Sequence, residues 1–185
     1  MQPEREWVGK PGELSINRMN SFEEDLKYSL KNGNDWINNF YWKKFKHHGL
    51  KEIIEVKDAE RQKKGIDKIL KFDNDNELWL DEKKRREDYG DFLLEEYSNK
   101  RKRTLGWLNK TKMTDYIAYI CMPTKKIYLL PFMLLQLAWI KNYSQWKKIY
   151  GIKKAKNDGY ITTNIPVPKE ELFRAIREEM DCNFN

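Results

Sequence analysis

The segment 65–84 reads Gly65-Ile66-Asp67-Lys68-Ile69-Leu70-Lys71-Phe72-Asp73-Asn74-Asp75-Asn76-Glu77-Leu78-Trp79-Leu80-Asp81-Glu82-Lys83-Lys84. Two apolar runs, at 66–70 and 78–80, flank a polar turn at 73–76, the pattern of two β-strands joined as a hairpin. Such a hairpin brings Asp67, at the start of one strand, near Asp81 and Lys83, at the end of the other. Side chains two apart on a strand share a face, so Asp81 and Lys83 point one way and Glu82 the other. Carboxylates supply the hard oxygens that Mg²⁺ takes, leaving positions for water and phosphate. A metal so held lowers the pKa of a bound water and polarises a phosphate. An ammonium beside it orients that water or offsets charge growing at phosphorus. Asp67 and Asp81 are thus the candidate metal ligands and Lys83 the candidate catalytic lysine, with the backbone carbonyl of Glu82 as a further ligand.

Outward from this hairpin the chain alternates helical and extended patterns. Residues 1–20 carry Pro3, Gly9, Pro11 and Gly12 and read as an arm. Ser21 and Glu24 form a capping box for a helix at 22–30, and Asn32-Gly33-Asn34 breaks it. A second helix is expected at 35–45, and His47-His48-Gly49 ends it. A β-branched strand follows at 50–57, then the hairpin. The polar segment 87–99 reads as a helical or irregular lid, 105–108 as a short strand, and 115–122 as a buried central strand with a hairpin partner at 126–130. Pro131 opens a helix to about residue 141. Residues 155–167 read as extended or loop-like, and a last helix starts after Pro168. The sum is a single mixed α/β domain over 21–185, with a sheet of about five strands.

Composition bounds the function. The chain has 185 residues, enough for one core. Lys plus Arg number 36 against 29 Asp plus Glu, a net charge of +7 that favours polyanionic partners. Seven Trp, ten Tyr and eight Phe exclude general disorder. The two cysteines, Cys121 and Cys182, stand in no metal-ligand spacing and read as reduced thiols of a cytoplasmic protein. The start, MQPEREWVGK, shows no signal peptide. The longest apolar-rich run, 127–140, falls short of the roughly 20 residues of a bilayer span, so no membrane is expected. Neither GxSxG nor HExxH occurs, which disfavours a serine hydrolase or a zincin.

The order Gly65-Ile66-Asp67, a gap, then Leu78-Trp79-Leu80-Asp81-Glu82-Lys83 resembles the PD-(D/E)xK nuclease superfamily. The approach Gln62-Lys63-Lys64-Gly65-Ile66-Asp67 is similar to a Q-x-x-G-I-D form of phage and prophage members, and Tyr160-Ile161-Thr162-Thr163, Val167-Pro168 and Leu172 look like the tail of such proteins. The resemblance covers about 21–140. It implies a restriction-endonuclease-like αβββαβ core with flanking helices, dependence on Mg²⁺ (or Mn²⁺), cleavage of DNA, and a homodimer that cuts both strands. Members add an acid from the helix before the first strand; Asp35 is the preferred candidate here and Glu24 the other. In place of the family's Pro, Ile66 precedes the first acid. Gln62, Lys64, Lys84 and the cluster Lys100-Arg101-Lys102-Arg103 are the candidate nucleic-acid contacts.

Competing readings stay beside this one. Ile53-Ile54-Glu55-Val56-Lys57 is a second apolar-apolar-Glu-x-Lys, which with Asp35 makes a rival motif. It ranks lower, because it leaves Asp67, Asp81 and Lys83 without a role; Glu55 and Lys57 are then surface charges. In a chain that is 35% charged, an acid-x-Lys also arises by chance. The alternatives are a catalytically inactive nuclease-fold phage protein that binds nucleic acid or a host protein, and a basic interaction domain in which the motif is coincidence.

Overall fold

A computed structural model of the chain describes residues 34–181. The expected arm at 1–20, the helix at 22–30 with Glu24, and Cys182 lie outside the described residues. Among the described residues the helices are α1 (Asn34–Phe45), α2 (Ala59–Lys63), α3 (Phe132–Tyr150) and α4 (Lys169–Glu178), and the strands are β1 (Leu50–Glu55), β2 (Lys68–Phe72), β3 (Glu77–Arg85), β4 (Asp91–Asn99), β5 (Thr104–Leu105), β6 (Tyr116–Cys121), β7 (Lys126–Pro131), β8 (Lys153–Asn157) and β9 (Tyr160–Pro168). Helices and a mixed sheet place the chain in the α+β class.

β3 is the middle of a five-stranded sheet ordered β1-β2-β3-β6-β7. Its N-terminal half pairs antiparallel with β2, and its C-terminal half runs parallel to β6. The β2–β3 hairpin is as the alternation predicts, and its turn closes with Phe72 N–H donating to Asn76 O at 3.0 Å. One face of the sheet carries Leu70, Leu80, Ala118 and Ile120 under Ile37 and Tyr41 of α1. The other face carries Ile117, Tyr119 and Cys121, which pack on α3, α4 and a second sheet. Period-two alternation therefore sends Leu80 and Glu82 toward α1 and Asp81, Lys83 and Arg85 toward the main core.

The second sheet corrects one expectation and decides another. Its order is β5-β4-β9-β8. The segment read as a lid contains strand β4, and of the extended and loop-like readings of 155–167 the extended one holds, in β8 and β9. β4 and β9 pair Phe92 with Val167 and Leu94 with Ile165, with all four side chains buried. The run Phe92-Leu93-Leu94 hides the alternation, since Leu93 on the far face is apolar too. β9 tolerates Pro166 and Pro168 because β8 stops pairing at Asn164, leaving a free edge beside them. The αβββαβ order also calls for a helix between the third and fourth core strands. Here that crossover, from β3 to β6, holds β4, β5 and a short 3₁₀ turn, Trp107–Asn109.

α3 runs unbroken to Tyr150, burying Phe132, Leu135, Ala138, Trp139 and Trp146 on one stripe. The expected helix at 35–45 and the final helix are present, the latter ending at Glu178. Cys121 is buried. Among the described residues no helix is long and apolar enough to cross a membrane.

Candidate active site

The approach to Asp67 is a folded device. Asp58 caps α2, its Oδ1 accepting the N–H groups of Glu60 and Arg61 at 2.6 and 3.2 Å. The helix stops in a Schellman arrangement, with Ile66 N–H donating to Arg61 O and Gly65 N–H to Gln62 O. Gly65 takes φ +81°, the left-handed conformation that a glycine adopts without penalty. The chain then enters the sheet: Asp67 N–H donates to Leu80 O at 2.8 Å, and Asp67 O accepts from Val56 N–H at 2.9 Å. With Lys68 paired to Leu80, one further step along the ladder sets Asp67 across from Asp81, on the same face. Lys68 is itself buried on the opposite face, its ammonium without a hydrogen-bond partner among the described residues.

Asp81 is only 1% exposed. Its Oδ1 meets the ammonium of Lys83, and its Oδ2 that of Lys112. The main chain also serves the pair, because Glu82 N–H donates to Asp67 Oδ2 at 2.8 Å. The two carboxyls are driven apart electrostatically. Burial and then the charge of Asp81 push Asp67 up to about 6, against the pull of Lys83 and the Glu82 N–H. Burial acts on Asp81 in the same direction, but Lys83 and Lys112 outweigh it and hold its carboxyl below the ordinary range. Lys112 is lowered, by burial first and by the charge of Lys83 second.

Lys83 leans on the indole of Trp107, with Nζ 5.9 Å from the ring centroid. A hollow of about 240 Å³ opens beside it, lined by Lys83, Arg85, Leu93, Trp107 and Tyr119 among others. Trp107 is brought there by Gly106, whose missing side chain is a requirement: a Cβ would lie 2.0 Å from the carbonyl oxygen of Glu95. Trp107 N–H in turn donates to Glu95 Oε1 at 3.2 Å. Burial raises the Glu95 carboxyl, opposed by that N–H and by the charges of Lys83, Lys110 and Lys112.

Asp67, Asp81 and Lys83 are thus brought together as the sequence pattern predicts. The other candidate residues are placed as follows. Asp35 is exposed in the first turn of α1, which covers the opposite face of the sheet, and has no bond or ion pair with Asp67 or Asp81 among the described residues. The Glu82 side chain also faces α1, accepting from Tyr41 OH at 3.0 Å and pairing with Lys84 at 3.4 Å. What Glu82 gives the pair is its N–H, and Lys84 is committed to the far face. Gln62 braces the site's approach, its Nε2 donating to Val56 O at 2.8 Å. Lys64 is exposed beside the site, and its carbonyl accepts from Met113 N–H at 2.9 Å. Lys100, Arg101, Lys102 and Arg103 are exposed on the β4–β5 turn, which is tied to β9 by Lys100 N–H donating to Ile161 O at 2.8 Å. Glu55, Lys57, His47 and His48 are exposed.

Sequence reasoning missed Lys112 and Glu95. Lys112 stands 31 residues from Asp81, on a crossover whose path no local pattern encodes. Glu95 lay within the segment read as a lid. Two carboxylates on one face, one pushed up by burial and then by the other's charge, suit a hard divalent cation whose remaining positions go to water and phosphate. Among the described residues no group of three or more His, Cys, Asp or Glu is placed to hold a metal ion. No family model matches the chain, and neither does any curated protein or solved structure.

Proposed function

We propose that this chain is a divalent-metal-dependent endonuclease that cleaves phosphodiester bonds in DNA. The observation that carries the reading is the pairing of Asp67 and Asp81 on one sheet face with the Lys83 ammonium on Asp81. Asp67 and Asp81 would hold Mg²⁺ or Mn²⁺, which supplies Lewis acidity toward the scissile phosphate and a more acidic bound water. Glu82 N–H fixes Asp67 Oδ2, so the other carboxylate oxygen of Asp67 is the one to offer. Lys83 orients the attacking water or offsets the charge that grows on the phosphate. Its side chain is 29% exposed beside the 240 Å³ hollow, within reach of a bound backbone phosphate, and the Trp107 indole limits its wandering. The exposed cations Lys64 and Lys100 to Arg103 would contact phosphates further along the strand.

The test is cleavage of supercoiled plasmid and branched DNA with Mg²⁺. Asp81→Asn is expected to reduce nicking to background and Lys83→Ala to lower it about 10²–10³-fold. Metal-dependent nicking that survives both substitutions would sink the assignment. A second reading, a nuclease-fold protein that binds nucleic acid or another protein without cutting, is favoured by one observation: both oxygens of Asp81 are already neutralised by lysines. DNA binding without nicking on any substrate decides for it.

A further inference from the structure

Lys112 does not belong to the motif, yet it holds half of the motif's central carboxylate. Its side chain is 8% exposed, and its Nζ sits on Asp81 Oδ2. The path to that position is cleared by Gly65. A Cβ on Gly65 would lie 2.9 Å from both Cδ and Nζ of Lys112, so the glycine leaves the lane that the lysine stem occupies. Withdrawing an ammonium from water costs free energy, and at Lys112 the charge of Asp81 offsets that cost.

The balance of charges then poses a question. Two carboxylates and two ammonium groups are already neutral. A divalent cation held by the same carboxylates would leave an excess of two positive charges, only one of which the neighbouring Glu95 carboxylate could offset, so the cation is better held if one lysine gives way. The geometry around each lysine says which. Lys83 is borne by β3, held in the ladder opposite Tyr119 of β6, and its side chain already borders the open hollow. Lys112 is borne by a segment outside any helix or strand, and among the described residues neither Thr111 nor Lys112 makes a backbone hydrogen bond. The anchors stand just beyond it. Met113 N–H is held by Lys64 O, and Thr114 Oγ1 bonds Trp79 O and Tyr116 O at 3.0 Å each. Lys112 can therefore leave while the strand after it stays in register.

We propose that Lys112 occupies the cation's seat on Asp81: it neutralises the metal-free pair and yields Asp81 Oδ2 to the divalent cation when that cation binds. This rests on the metal-dependent reading above. Lys112 is by this account a positioning residue, and it opposes metal binding where Lys83 tolerates it.

The test is Mn²⁺ binding by the full chain in the absence of DNA, followed by the electron paramagnetic resonance of free Mn²⁺ and by the thermal shift that Mn²⁺ produces. Lys112→Met keeps the stem and removes the charge, and Lys112→Gln serves if the Met variant misfolds. Each is expected to bind Mn²⁺ about tenfold or more tightly than the parent and to gain a larger Mn²⁺-dependent rise in Tm. Lys112→Arg keeps the charge and is expected to bind as the parent does. Parent-like or weaker binding by the neutral variants, with Asp81→Asn still abolishing the site, overturns the proposal and leaves the metal reading standing. No Mn²⁺ binding by any of these proteins, or binding that Asp81→Asn does not change, overturns both.

Discussion

Asp81 and Glu96 are both buried carboxylates gripped by a lysine, and the protein builds them differently. Glu96, on β4, is 4% exposed. Its Oε1 meets Lys147 at 2.5 Å and the hydroxyl of Tyr143, and its Oε2 accepts from Thr163 Oγ1 at 3.2 Å. One charge faces one charge, and neutral donors fill the remaining lone pairs. Burial tends to raise Glu96, but Lys147 and these donors hold it below its ordinary value. Asp81 has two lysines because it has a second acid beside it, and that acid is pushed up to about 6. A structural ion pair is closed and satisfied. The Asp81 site instead sets two carboxylates side by side with two lysines balancing them, the arrangement on which the proposed metal reading rests.

The widest expected separation is in activity. Asp81→Asn should abolish metal-dependent nicking, whereas Glu96→Gln should leave nicking within about twofold of the parent while lowering stability by about 1–3 kcal/mol through its lost bonds. Equal loss of nicking in two folded variants would erase the distinction.

The next separation is in the sign of the pH dependence, measured by denaturation in metal-free buffer. The folded pKa of Asp67 lies above its unfolded value of 3.8. Its contribution is therefore intact below about pH 4 and is lost as pH rises through about 6. Asp67→Asn should stabilise the protein at pH 8 by about 2–3 kcal/mol, and the gain should vanish toward pH 4. Glu96 is held low, so its contribution is present above its ordinary pKa and lost in acid. Glu96→Gln should accordingly cost most at pH 7 and least at pH 4. Parallel pH profiles for the two variants would contradict the contrast.

The smallest effect is expected at Gly65→Ala. The left-handed φ costs about 1–2 kcal/mol, and the new Cβ crowds Lys112. A drop in Tm is expected, with a Mn²⁺ affinity higher than the parent's. An unchanged Mn²⁺ affinity would show that the Lys112 stem shifts aside without releasing Asp81.

How much of this was legible in the sequence follows from how local each contact is. The β2–β3 hairpin and the shared face of Asp67 and Asp81 rest on a four-residue connection and strict alternation, so pattern alone sufficed. The β6–β7 hairpin, α3 and α4 were visible for the same reason. β4 was not, and β9 was visible only as one of two readings, extended or loop-like: each becomes a strand by pairing with the other across a long separation. Lys112 carries no signal at all among 36 Lys plus Arg. Asp35 failed as a ligand because a position before the first strand does not say which face of the sheet the helix will cover.

The β3–β6 crossover has a consequence for the order of folding. Asp81 and Lys83 are in place once the early hairpin forms, a local and rapid event. Lys112 arrives only when the crossover through β4 has returned to the first sheet, where Met113 N–H meets Lys64 O and Thr114 Oγ1 meets Trp79 O. A chain that has grown only through β3 therefore holds both acids before it has the residue that carries their second counter-ion.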